Sequence, residues 1–242
     1  MSIRHSGWCL SLAALAVTTV LGAGCATNGR RVLLKEYGPT VPASGGQDLK
    51  GVTICVGRFD CAPSLVSLDP KTKSEQPDQY KYVDFTREQD KLWDQDMHAL
   101  RERTTKADWR EIGNLRNGFG MVMSHVYALN DPAGWLADSL KFDLEKQGAK
   151  VVDASQAPTA DVCISGTIEL CRVDVYFMIS GELVVDVDVQ PKQGGARHKQ
   201  IHTHGGTLAS LASEGEYYHA LRECQQKFSI FASRELAQSM RP

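Results

Sequence analysis

A chain of 242 residues carrying 27 basic and 29 acidic side chains has a formal net charge of −2, so there is no basic excess to hold nucleic acid or an anionic surface. With 42% hydrophobic and 23% charged residues it has the make-up of an ordinary globular protein, which excludes a disordered or low-complexity chain.

The chain opens with Arg4 in a short polar start, followed by an almost unbroken apolar run from Trp8 to Ala23 and then Gly24-Cys25-Ala26. That order is a bacterial export signal of the lipoprotein kind, in which residues 1–24 are removed and Cys25 is diacylated. The run is shorter than the roughly 20 residues that a spanning helix needs, and Ser11, Thr18 and Thr19 weaken it further. Gly22 stands where a lipoprotein peptidase prefers a large aliphatic residue, with Leu21 one step too early. Ordinary secretion therefore stays open as an alternative, with Gly24-Cys25-Ala26 as a small-x-small cleavage site and a soluble chain starting at Thr27. Ala26, in place of the Asp that retains such proteins at the inner membrane, directs the lipoprotein to the periplasmic face of the outer membrane.

Residues 25–50 read as the lipidated end and a flexible tether, marked by Gly38-Pro39, Pro42 and Ser44-Gly45-Gly46, with a short strand at Val32-Leu33-Leu34. One globular domain spans residues 51–242, and 60–117 form a polar insertion within it. The first clear strand is Gly51 to Phe59, with Val52, Ile54 and Val56 on one face. Inside the insertion, Lys71 to Lys81 reads as a solvated loop. A helix over about Thr86 to Arg103 carries a narrow stripe of Leu92, Trp93, Met97 and Leu100, and Trp93 and Trp109 dock the insertion on the body.

Asn117-Gly118-Phe119-Gly120 lacks the last glycine of a dinucleotide loop and leads into a strand, Met121 to Tyr127, so these are turn glycines. Asp131 then caps a helix that starts at Pro132, carries Leu136, Leu140 and Leu144 in a stripe, and ends at Gly148. A short strand at Ala149–Val152, two long ones at Val162–Val173 and Met178–Val189, and a third at His198–Leu208 come next. The closing helix, Glu214 to Ser239, repeats Tyr217, Leu221, Cys224, Phe228 and Phe231 at helical spacing. The fold class is α/β, two-layer α+β: a mixed, largely antiparallel sheet of about five strands packed by two main helices, with a partly helical insertion.

Candidate chemistry is sparse. Removing the leader leaves Cys55, Cys61, Cys163, Cys171 and Cys224 besides Cys25. Cys163 and Cys171 fall on one strand and stand too far apart to bond, whereas Cys55 and Cys61 flank a turn and form a possible disulfide. His198, His202 and His204 share one strand face, but only His202 and His204 lie close enough for one metal ion, and they need ligands from elsewhere. They are weak candidates, and the reading assigns no metal, cofactor or catalytic residue. Glu182, Asp186 and Asp188 alternate with Leu183, Val185, Val187 and Val189, polar out and apolar in. No Ser, Cys or Lys sits in an activated nucleophile setting.

The leader and tether, the strand Asp48-Leu-Lys-Gly-Val-Thr-Ile54, the helix Trp135–Gln147 with Gly148-Ala-Lys-Val-Val152 behind it, and Ala160-Asp-Val-Cys-Ile-Ser-Gly-Thr-Ile168 together resemble the YajG-like lipoproteins. The pattern, over 51–59 and 118–240, is also similar to the auxiliary lipoproteins of ABC-type systems that transport lipids across the envelope. The resemblance implies an α/β domain with a mixed sheet and two main helices, non-enzymatic, working through protein partners, and no functional residue beyond the acylated Cys25. The function expected is an accessory or scaffold lipoprotein of a cell-envelope complex, bound to the membrane through Cys25, with envelope protein partners and no nucleic acid. A lipid- or glycan-binding periplasmic module is the alternative, and a hydrolase using the histidines a distant third.

Overall fold

In a computed structural model, the described residues are 29–36, 47–67, 87–208 and 213–241. Cys25, the leader and the loop at 71–81 lie outside them. In chain order the elements are β1 (Arg30–Val32), β2 (Thr53–Cys61), α1 (Arg87–Arg103), β3 (Arg110–Arg116), β4 (Val122–Ala128), α2 (Pro132–Lys146), β5 (Lys150–Asp153), β6 (Val162–Tyr176), β7 (Met178–Pro191), β8 (Arg197–Leu208) and α3 (Glu214–Ser239). Short 3-10 turns occur at Lys106–Asp108 and Ala154–Thr159.

The sheet is built around β6. Along one edge it pairs antiparallel with β7 for its whole length, and β7 pairs antiparallel with β8. Its other edge is shared: β2 runs parallel to the first half, from Ile54 opposite Val162 to Cys61 opposite Ile168, and β3 runs parallel to the second half, from Gly113 opposite Val173 to Leu115 opposite Val175. Beyond β2 lies β5, and beyond β3 lie β4 and then β1. The α/β class with a mixed sheet holds, and the sheet does not close into a barrel. Among the described residues it has eight strands rather than about five, and three main helices rather than two. The strand without a sequence signal is β3, where Arg-Glu-Ile-Gly-Asn-Leu-Arg supplies only Ile112 and Leu115 as apolar residues. It is held by ladders on both sides, so tertiary pairing outweighs weak local propensity.

Each helix that packs on the sheet has a defined start. The Asp131 carboxylate accepts from the backbone N–H groups of Ala133 (3.2 Å) and Gly134 (3.0 Å), with Pro132 in the first turn of α2. Ser213 and Glu216 form a reciprocal capping box on α3. Such a cap contributes about 1 kcal/mol. α2 buries Leu136, Leu140 and Leu144, and α3 buries Tyr217, Leu221, Cys224 and Phe228. α3 lies so close to β7 and β8 that a Cβ on Gly181 would sit 2.6 Å from the Ala220 carbonyl oxygen, and one on Gly205 only 2.4 Å from it.

Two expectations need correction. Residues 25–50 are not a continuous tether, because Arg30–Val32 pair with β4 as an edge strand and Val32, Leu33 and Leu34 are buried. Three consecutive apolar side chains gain more from the core than a solvated linker offers them. Residues 60–117 are not wholly an insertion, since β3 lies inside the sheet. Trp93 docks α1 as expected: its indole N–H donates to the Leu33 carbonyl at 2.9 Å and its ring stacks on Tyr218. Trp109 packs against Tyr127 under the Arg31 guanidinium. Leu92, expected in the buried stripe of α1, faces outward.

Candidate functional site

Even-numbered residues of β7 and β8 point away from α3, because Gly181, Leu183, Thr203 and Gly205 occupy the face on which that helix packs. On the far face the structure brings His202 and His204 together with Glu182, which stands opposite His204 in the ladder. His202 Nε2 lies 2.7 Å from Glu182 Oε1, the ligating atoms of all three residues lie within 4.8 Å of one another, and Ser180 Oγ is 3.3 Å from His204 Nε2. Glu182 and His202 are buried. His198 is not part of the group; it pairs with Asp188 at the exposed end of the same face, and that contact raises its pKa.

Two imidazoles and a carboxylate are a donor set that zinc accepts. Here the second carboxylate oxygen of Glu182 is already bonded to the Arg172 guanidinium on β6. Burial pushes the Glu182 carboxyl up, but the His202 hydrogen bond and the Arg172 charge outweigh it and hold the group below its usual value. Burial lowers the His204 pKa. A dication would sit beside a guanidinium and compete with it for the same carboxylate. The chemistry fits a cross-strand ion network that fixes β6, β7 and β8 in register better than it fits a metal centre.

A second polar group, with no place in the sequence reading, lies between α2 and α3. Asp143 is fully buried and accepts from the Gln225 amide at 2.9 Å, and Gln225 also donates to Ser229 at 2.9 Å. Arg222 and Glu36 form an ion pair beside it. Burial raises the Asp143 pKa to about 7, against the pull of the Ser229 and Gln225 hydrogen bonds. A sequence signal existed: Asp143 falls three residues after Leu140 and beside Leu144, within the stripe that α2 buries.

The possible disulfide between Cys55 and Cys61 is also ruled out. Both residues lie on β2, six positions along one extended strand, and both are free thiols. At about 3.3 Å per residue they are far beyond bonding reach. Cys55 instead stands directly opposite Cys163 on β6. Burial and the adjoining Cys163 push its thiol up to about 11, and burial, with a contribution from Cys61, takes Cys171 to about 12. None of these is poised as a nucleophile at neutral pH.

A third feature lies at one end of the sheet. The β3–β4 turn exposes Phe119, Met121, Val122 and Met123, and the β6–β7 turn exposes Tyr176, Phe177 and Met178. The glycines of the first turn do serve as turn glycines: Gly120 has φ 81° and donates to the Asn117 carbonyl, while the Asn117 side chain accepts from the backbone of Phe119 and Met121. Phe177, alone at the tip of the second turn, has φ 59°, a left-handed conformation that a bulky side chain rarely adopts.

No family model and no curated protein matches this chain. The chain path is similar to that of protein XCC0632 from Xanthomonas campestris, a DUF330 crystal structure, with TM-score 0.47 and 10% identity over 86% of this chain and 97% of that one. A second solved structure, of an uncharacterized protein, gives TM-score 0.46 and 9% identity over 86% and 99% of the two chains.

Proposed function

We propose that this protein is a lipoprotein of the bacterial envelope, acylated at Cys25, held at the periplasmic face of the outer membrane, and acting there as a non-enzymatic accessory or scaffold component of an envelope complex. The observation that carries the reading is the position of β1. Its first residue, Arg30, is bonded into the sheet opposite Val126, only five positions after Cys25. A body joined so closely to an acylated residue is a membrane-apposed platform. The polar groups support a scaffold: Glu182 is engaged by Arg172 and His202, Asp143 by Gln225, and the buried thiols are held protonated. Two or three acyl chains on one cysteine anchor far more firmly than one, since each buried methylene adds about 0.8 kcal/mol.

Mass spectrometry of the mature N-terminus tests the anchor, with a diacylglyceryl-modified Cys25 expected and an unmodified start at Thr27 overturning it. In-cell crosslinking tests the scaffold role. Defined heteromeric adducts are expected, and monomer alone after exhaustive crosslinking would count decisively against it.

A further inference from the structure

Strand directions gather three chain features at one end of the sheet. β3 and β6 run parallel, so the β3–β4 and β6–β7 turns lie side by side; Tyr176 donates its hydroxyl proton to the Gly118 carbonyl at 3.3 Å across the gap. β1 runs parallel to β4, so the chain enters β1 from that same end. Arg30 stands opposite Val126, four residues up β4 from Val122, and the β3–β4 tip therefore projects about 13 Å or more past Arg30. From Cys25 to Arg30 the backbone spans at most about 17 Å. The acylated end of the chain can thus reach the level of the tips but little beyond it.

Asn117 to Ser124 and Val175 to Gly181 contain no charged residue. At their base Arg116 and Asp174 pair at 2.9 Å, so the charges nearest the tips are matched. Phe119 is 89% exposed and Phe177 73% exposed, on two narrow projecting turns rather than in a groove. Convex, uncharged, aromatic and methionine-bearing tips suit the interfacial zone of a bilayer, where an aromatic body is buried without desolvating a charge. Resting on the assignment of acylation to Cys25, we infer that Phe119, Met121, Phe177 and Met178 dip into the lipid leaflet that holds Cys25. The protein then meets the membrane at three places, the acyl chains and two hairpin tips, and has a fixed orientation on it.

The test uses the full chain expressed in a bacterium, with p-benzoylphenylalanine in place of Phe119, of Phe177, or of Gln193 in the exposed turn at the opposite end of β7. After irradiation the mature protein is analysed by mass for phospholipid and protein adducts, and its N-terminal peptide for acylation. The expected result is an acylated Cys25 with at least tenfold more phospholipid adduct at 119 and 177 than at 193. An acylated Cys25 with only protein adducts at the tips, with no adducts there, or with equal lipid labelling at 193 overturns the tip inference and leaves the anchor standing. An unmodified N-terminus overturns both.

Discussion

Replacing Asp143 by Asn tests whether a neutral side chain is what the interface between α2 and α3 requires. Burial raises the carboxyl from its usual 3.8 to about 7. Between those two values the folded state holds a proton that the unfolded state releases. Stability from this group is therefore complete below about pH 4 and falls as pH rises through the window, levelling off above about 7. A displacement of about three pKa units corresponds to about 4 kcal/mol at most. Asparagine keeps the shape and an oxygen for the Gln225 amide to donate to, but never ionises. Urea denaturation of both proteins, starting at residue 26, at pH 4.5, 6 and 8 isolates the contribution as the difference between them. We expect Asp143→Asn to gain on the wild type by about 2–4 kcal/mol between pH 4.5 and 8. A difference that stays constant across that range, or a variant that loses ground as pH rises, would refute the reasoning.

Gly205→Ala places a methyl 2.4 Å from the Ala220 carbonyl oxygen and forces α3 outward; a loss of about 2 kcal/mol is expected in the same denaturation assay, and an unchanged midpoint contradicts the close packing. Mild oxidation joins Cys55 to Cys163 and not to Cys61, given their facing positions on β2 and β6; peptide mapping without reductant reads the pairing, and a Cys55–Cys61 peptide would contradict the register. Zinc leaves the melting temperature unchanged to within a degree, because Arg172 already matches the Glu182 charge; a rise that disappears in His204→Ala would establish a metal site. Glu182→Gln leaves Arg172 and His202 without their anionic partner and costs about 2 kcal/mol; a neutral result would mean that the network does not hold the strands.

Where local chemistry decides the structure, the sequence is legible. α3 occupies Glu214–Ser239 as its spacing predicts, and α2 begins where Asp131 and Pro132 place it. Leu183, Val185, Val187 and Val189 are all buried while Asp188 is exposed, as alternation requires, but Glu182, expected outward with it, is buried. The candidate site is less legible, because parity names a face but not what stands beside it. Parity put His202 and His204 on one side, but it takes the β6–β7–β8 register to set Glu182 and Arg172 against them. β3 has almost no local signal and is recruited by its neighbours. Met121, Val122 and Met123 read as strand residues, and only the assembled sheet shows that they are uncovered.

The shared edge of β6 also governs the order in which the molecule can complete itself. A ribosome delivers the N-terminus first, yet β1 waits for β4, and β2 waits for β5 and β6, about a hundred residues later. Residues 162–239, by contrast, form a meander and a helix whose ladders are local in sequence. Contacts close in sequence form fast and distant ones slowly. β3 and β4 are a local hairpin, whereas β1 waits for β4 and β2 for β5, and the two pieces are joined into one sheet only when β6 emerges between them. A polypeptide built this way cannot complete its sheet until two thirds of its synthesis is done.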